Sequence, residues 1–178
     1  MYKRFFSYRQ LYAGAIGSLE AFLSSTLIKE VLSSEANKRR FVETYLPYGE
    51  QKIDFSNIYQ QIDNIDSTIQ DTLRGLMYHN LGKIKPIYKD AINIDLGDIR
   101  EIMSAVQIRH DIVHRAGKDK TGNLHTIGRE DVIQLVENVS TVMSRVKANI
   151  QNNLGIGSST DGDIDDASSL DEKNYRSI

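Results

Sequence analysis

The chain has 178 residues, 40% of them hydrophobic, and a formal charge of −2, a length and apolar content that suit one globular domain with a substantial core. It contains no cysteine, which excludes disulfides and thiolate metal sites and is compatible with a reducing compartment. Its two prolines, Pro47 and Pro86, leave long stretches free to form uninterrupted helices.

Helical periodicity governs most of the sequence. The first long segment, 8–32, places Tyr12, Ile16, Leu19, Phe22 or Leu23, and Leu27 on one face. Lys3 and Arg4 precede it in the manner of a signal peptide. Glu20 interrupts the apolar run, and the apolar residues form a stripe rather than a sleeve. Neither a signal sequence nor a membrane span is therefore expected, and the cytoplasm is the default location. A short helix is expected over 35–46, where the Lys38-Arg39-Arg40 run reads as a solvated face. The second long segment, 56–80, carries Ile58, Ile62, Ile65, Ile69, Leu73 and Leu76. A further short helix is expected over 84–92. The third long segment, 95–115, starts with Asp95 as its N-cap and ends near Gly117. Residues 117–123, Gly-Lys-Asp-Lys-Thr-Gly-Asn, have strong turn chemistry. The fourth long segment, 129–150, shows Val132, Val136, Val139, Met143, Val146 and Ile150, with Glu130 and Asp131 suited to the positive end of a helix dipole.

No run alternates with period two between hairpin turns, so little or no sheet is expected. The economical architecture is all-α, an up-and-down bundle of four main helices plus short helices over 1–151. Residues 152–178 are Ser-, Asp- and Gly-rich without periodicity and read as a disordered tail. Residues 155–178 hold six acids against Lys173 and Arg176, and the other 154 residues carry 20 bases and 18 acids. A body so near neutrality argues against indiscriminate coating of nucleic acid but leaves room for a small basic site. The acidic tail reads as a solubilising end; as a mimic of nucleic acid it would shield a basic cleft.

Ionisable chemistry concentrates in Arg109-His110-Asp111-Ile112-Val113-His114. The stripe Leu96, Ile99, Met103, Val106 resumes at Val113, which places His110 on it and Arg109 and His114 at its edges. Charged groups at a packing margin lose hydration unless they find partners, and this marks them as site candidates. One reading is a metal site, because His110 and His114 stand four apart on one helix face, as in the zinc-binding H-E-x-x-H pattern. Asp111 occupies the position of that pattern's glutamate. A third ligand would come from His125, Glu130 or Glu137, and the spacing selects none of them.

The order Arg109-x-x-x-x-His114, at the end of an apolar helix and before a glycine-containing basic loop, resembles the R-x(4–6)-H motif of the HEPN superfamily. The likeness covers residues 8–150. It includes a first helix bearing Leu19-Glu20-Ala21-Phe22-Leu23, the motif ending the penultimate main helix, and a final amphipathic helix. His110 fills the polar position after the arginine. The resemblance implies a small all-helical homodimer in which two motifs meet in a cleft. It further implies a metal-independent endoribonuclease without cofactors, a toxin or anti-phage effector working beside an antitoxin or sensor. The family also holds proteins that keep the fold without cleaving, which gives the alternative of a helical dimer binding RNA, a nucleotide or a regulatory partner. Ala116 stands where one subgroup carries a tyrosine that is nucleotidylated, so that mode of control is not implied.

The side chains suit the implied chemistry. Attack of a ribose 2′-hydroxyl on the adjacent phosphate needs a proton-transfer group working near neutrality and a fixed cation for the phosphorane charge. His114 suits the first role and Arg109 the second. His110 and Asp111 would orient the phosphate or the reactive imidazole, and Glu20 could face the site and bind His110 or Arg109. Arg115, Lys118, Lys120 and Arg129 would track the RNA backbone. Arg109 and His114 lie roughly 140° apart around a straight helix, a separation that dimerisation resolves in the HEPN family. His79 and His125 read as surface residues, and Tyr45, Tyr48, Tyr59, Tyr78 and Tyr88 as helix-packing ones.

Overall fold

Packing is organised around α1, Tyr2–Leu32. Its Tyr12, Ile16, Leu19, Leu23, Leu27 and Val31 recur at three- and four-residue steps and are all buried, which gives the helix a continuous apolar stripe. The computed structural model describes residues 2–49 and 55–157. The remaining helices are α2 (Glu35–Thr44), α3 (Leu46–Gly49), α4 (Ile58–Asp63), α5 (Ile65–Arg74), α6 (Leu81–Ile92), α7 (Arg100–His114) and α8 (Arg129–Gly157). A 3-10 turn, Phe55–Asn57, precedes α4. The protein is all-α: among the described residues the one β-type pairing is an isolated bridge between Lys118 and Leu124.

α1 packs against α2, α5, α6, α7 and α8, and one core runs from Tyr12 to Val146. Tyr88 anchors α6 to α1 by donating its buried hydroxyl to the Leu23 carbonyl at 2.6 Å. Tyr78 donates to the Leu73 carbonyl, and Tyr45 and Tyr48 pack on Phe41. These tyrosines serve packing, whereas Tyr59 is 82% exposed. Lys38 pairs with Glu35 and Asp66, and Arg39 with Glu43, along the solvated face of α2.

The helix expected over 56–80 is broken. Asn64 donates its side-chain amide and its backbone N–H to the Gln60 carbonyl, ending α4, and the chain leaves α5 at Gly75. Ile69 and Leu73 of α5 enter the core, while Phe55 and Ile62 stay 84% and 56% exposed. The third long helix begins at Arg100 rather than at Asp95. Left-handed Asn93 stops α6, and 94–99 run without helix, burying Ile94, Leu96 and Ile99. Asp95 accepts from the Gly97 N–H, and Asp98 accepts from the Arg100 N–H where α7 starts. α8 extends through Gly157, so 152–157, expected in the tail, are helical. The rest of that expected tail lies outside the described residues.

Chain direction sets where the ends meet. The N-terminal part of α1 meets the α7–α8 connection, where Arg9 bonds to Ala116 and His125, and further along Lys147 stands over the Phe22 ring. α1 therefore runs parallel to α8 and antiparallel to α7. A four-leg up-and-down path would set the first and last legs antiparallel; α6 adds a leg between the second and third and changes that parity. Ser7–Leu32 is long and apolar enough, by length and composition, to cross a membrane, and here its apolar stripe faces the other helices.

Candidate functional site

The motif occupies the last turns of α7, a 15-residue helix without glycine or proline. Its packing face is Ile102, Ala105 and Ile112, with Arg109 half-buried between them. The expected stripe does not hold: Met103 is 46% and Val113 51% exposed. The physical reason is the non-helical 94–99 stretch, because helical phase cannot carry from Leu96 and Ile99 into a helix that starts at Arg100. Arg109, expected at the stripe's edge, thus belongs to the packing face, and His110 is exposed.

Four side chains here lack ordinary partners among the described residues. Arg109 Nε is buried and unbonded, and among the described residues its guanidinium forms no ion pair or hydrogen bond. His110 and His114, one turn apart on an exposed face, meet each other with ring centroids 4.7 Å apart. Neither ring has a hydrogen-bond partner among the described residues. Glu20 on α1 is half-buried with its Oε1 atom unbonded, and it is joined to neither Arg109 nor His110. Four-residue spacing brings the histidines together, as expected, while Arg109 stands apart from His114 around the helix.

Asp111 faces the other way. It is 3% exposed, and its two oxygens accept from Arg115 Nη1 and His125 Nε2, each at 2.9 Å. The hydrogen bond from His125 and the nearby charge of Arg115 hold the Asp111 carboxyl below the ordinary carboxylate range, against the opposing effect of desolvation. Both oxygens are therefore committed to the loop after the helix, not to the motif imidazoles. His125, expected at the surface, has a side chain only 25% exposed, and it is one of two residues, with Arg9, that sequence reasoning missed here.

The same loop is tied by backbone and by α1. The Asp111 carbonyl accepts from the N–H groups of Arg115 and Gly117. Ala116 and Gly117 take left-handed φ values of 52° and 80°, which turn the chain out of the helix. Arg9 donates to the His125 carbonyl at 2.9 Å and to the Ala116 carbonyl at 3.4 Å. A Cβ on Gly117 would stand 2.8 Å from Arg9 Nη1, so glycine admits the arginine. The Lys118–Leu124 bridge makes a small hairpin, closed by His125 N–H to the Gly117 carbonyl. Asp119 accepts from the Thr121 hydroxyl and N–H and from the Asn123 N–H. Those bonds, that from the Thr121 hydroxyl first, pull its pKa down to about 2.

Of the expected RNA-contacting residues, Lys118 and Lys120 are exposed and carry no side-chain bond among the described residues. Arg115 is engaged with Asp111, and Arg129 lies 3.6 Å from Glu130. His79 is exposed. Among the described residues no three His, Cys, Asp or Glu side chains converge to hold a metal ion, and His125 is committed to Asp111. An open cleft of about 730 Å³ lies elsewhere, between Phe41, Tyr45, Met77 and Pro86, and one of about 450 Å³ lies between Asp98, Arg100, Asn138 and Arg145.

No family model, curated protein or solved structure matches the chain. What the fold and site define is a class only: an all-α protein in which an arginine and two histidines at a helix end form no hydrogen bond or ion pair among the described residues.

Proposed function

We propose that the protein is a metal-independent endoribonuclease of the HEPN type, acting on RNA through Arg109 and His114. The observation that carries this reading is Arg109, a half-buried guanidinium without an ion pair or hydrogen bond among the described residues, on the same last turns of α7 as two exposed and unbonded imidazoles. A cation kept unpaired at some cost to the fold is prepared for an anion that arrives from outside, and phosphate matches its planar fork. His114 moves the proton of the attacking 2′-hydroxyl or of the leaving 5′-oxygen, and Arg109 takes the charge that builds on the phosphorane. His110 packs on His114 and restricts its ring.

In this reading α1, α7 and α8 are main helices of a HEPN-type bundle, and the active form is a homodimer. The motif histidines are exposed, and exposed Met103, Val113, Ile133 and Val136 on α7 and α8 supply apolar area for a second copy. A toxin or anti-phage role in the cytoplasm, restrained by an antitoxin or sensor, completes the proposal.

The test is cleavage of total cellular RNA by wild-type and His114→Ala protein in excess EDTA. Discrete cuts made by the wild type alone support the reading. No cleavage by folded, dimeric wild type would leave the non-catalytic helical dimer, binding RNA, a nucleotide or a partner, as the better account. Loss of activity on chelation would return the zinc reading of His110 and His114.

A further inference from the structure

The hairpin after the motif is held more tightly than a surface connection requires. Asp111, the one charged side chain buried among the described residues, is spent on it, accepting from Arg115 at its start and His125 at its end. Arg9 crosses from α1 to the carbonyls of Ala116 and His125, again at both ends. Asp119 knots the tip through Thr121 and Asn123. A buried carboxylate gives up solvation, and its partners offset that loss only in one geometry, so the arrangement fixes the hairpin's position relative to α7. All these ties use groups at the base and within the tip. They leave Lys118 and Lys120 exposed and, among the described residues, unpaired, four and six residues beyond His114.

We infer that this hairpin binds the phosphates flanking the scissile one in single-stranded RNA, and that Asp111 and His125 are positioning residues that act through Lys118 and Lys120. The inference rests on the ribonuclease reading for its substrate. Two cations held at a set distance from His114 would engage neighbouring phosphates of a chain lying across the helix end, whereas the same lysines on a loose loop would lose binding strength to the ordering of that loop. The site would then favour RNA long enough to reach past the cut over a bare dinucleotide.

The test uses the full chain and a single-stranded RNA of about twelve nucleotides, with 2′-O-methyl groups to block cleavage, and reads binding by fluorescence anisotropy. The expected result for the double variant Lys118→Ala/Lys120→Ala is binding weaker by about tenfold. Its log–log salt slope should be shallower by about 1.4, two phosphates at about 0.7 each. His125→Ala weakens binding as well, and His125→Gln, whose amide can donate to Asp111, restores most of it. On the cleavable RNA both weakened variants lose at least about five times more kcat/KM than on a dinucleoside monophosphate with the same cut bond, a disparity that a general loss of fold would not produce. Unchanged binding by the double lysine variant, or equal losses on long and short substrates, would overturn the inference, and so would a wild type that fails to bind the RNA. Wild type that binds through the lysines but never cuts would support the hairpin's role and overturn the ribonuclease reading alone.

Discussion

Arg109 links stability and function most directly. A donor buried without a partner costs a fold about 1–3 kcal/mol, and Arg109 Nε is such a donor. Arg109 is half-buried on the face of α7 that also carries Ala105 and Ile112, where a long side chain buries its aliphatic stem. Arg109→Met keeps that packing and removes the orphan. It should leave stability unchanged or raise it by about 1 kcal/mol, read from the urea midpoint, while RNA cleavage falls by about 10²–10³-fold. Destabilisation by that change would mean the guanidinium finds a structural partner. Two positions further along the turn make the opposite point about backbone. Ala116 holds a left-handed φ of 52°, a conformation that costs a residue with a Cβ about 1–2 kcal/mol. Ala116→Gly should therefore raise the urea midpoint slightly. Gly117→Ala should lower it, because the added methyl meets Arg9.

At the scale of elements, the hairpin 115–125 and the helices should respond differently to acid. The bond from His125 depresses the Asp111 pKa, and that from Thr121 depresses the Asp119 pKa to about 2. Both folded values lie below the unfolded one of about 3.9. Their contribution is therefore complete above the unfolded value and is lost as pH falls through the folded values. Between about pH 5 and about pH 2, amide protection at Gly117, Asn123 and His125 should disappear before protection in α1 and α8. Simultaneous loss across hairpin and helices would show that the carboxylates do not hold the hairpin locally.

Legibility in the sequence follows the same division. The long helices α1 and α8 were readable because an apolar stripe must be repeated every three or four residues to bury one face. Tyr12 through Leu27 do so without interruption. The break at Asn64 was not readable, since it depends on a side-chain amide folding back on Gln60. The register of α7 differs from the periodicity in the sequence because Leu96 and Ile99 are buried from a non-helical segment that mimics helical spacing. Of the site, the pairing of His110 with His114 follows from four-residue spacing alone. Arg9 and His125 were beyond reach: Arg9 lies 107 and 116 positions from the carbonyls it binds. The one local hint was an aspartate set among apolar helix residues, which pointed to a partner without naming it.

For the whole molecule, the proposal makes the site a shared one, closed by a second copy. Exposed Met103 and Val113 give α7, the helix that bears the motif, apolar surface that solvent does not favour, and exposed Val136 does the same for α8. Val113→Lys should shift the protein toward monomer in sedimentation velocity and reduce cleavage in proportion to the dimer lost. A monomeric wild type with full activity would contradict the shared site.

The central claim is that Arg109 and His114 direct a ribose 2′-hydroxyl onto its neighbouring phosphate. It is tested most directly by two oligonucleotides identical except for a single 2′-deoxyribose at the mapped cut position, incubated with wild-type protein in EDTA. The account predicts that the all-ribose strand yields a 2′,3′-cyclic phosphate and a 5′-hydroxyl, and that the substituted strand stays whole at that position. Cleavage of the substituted strand there, or products ending in a 3′-hydroxyl and a 5′-phosphate, would contradict it.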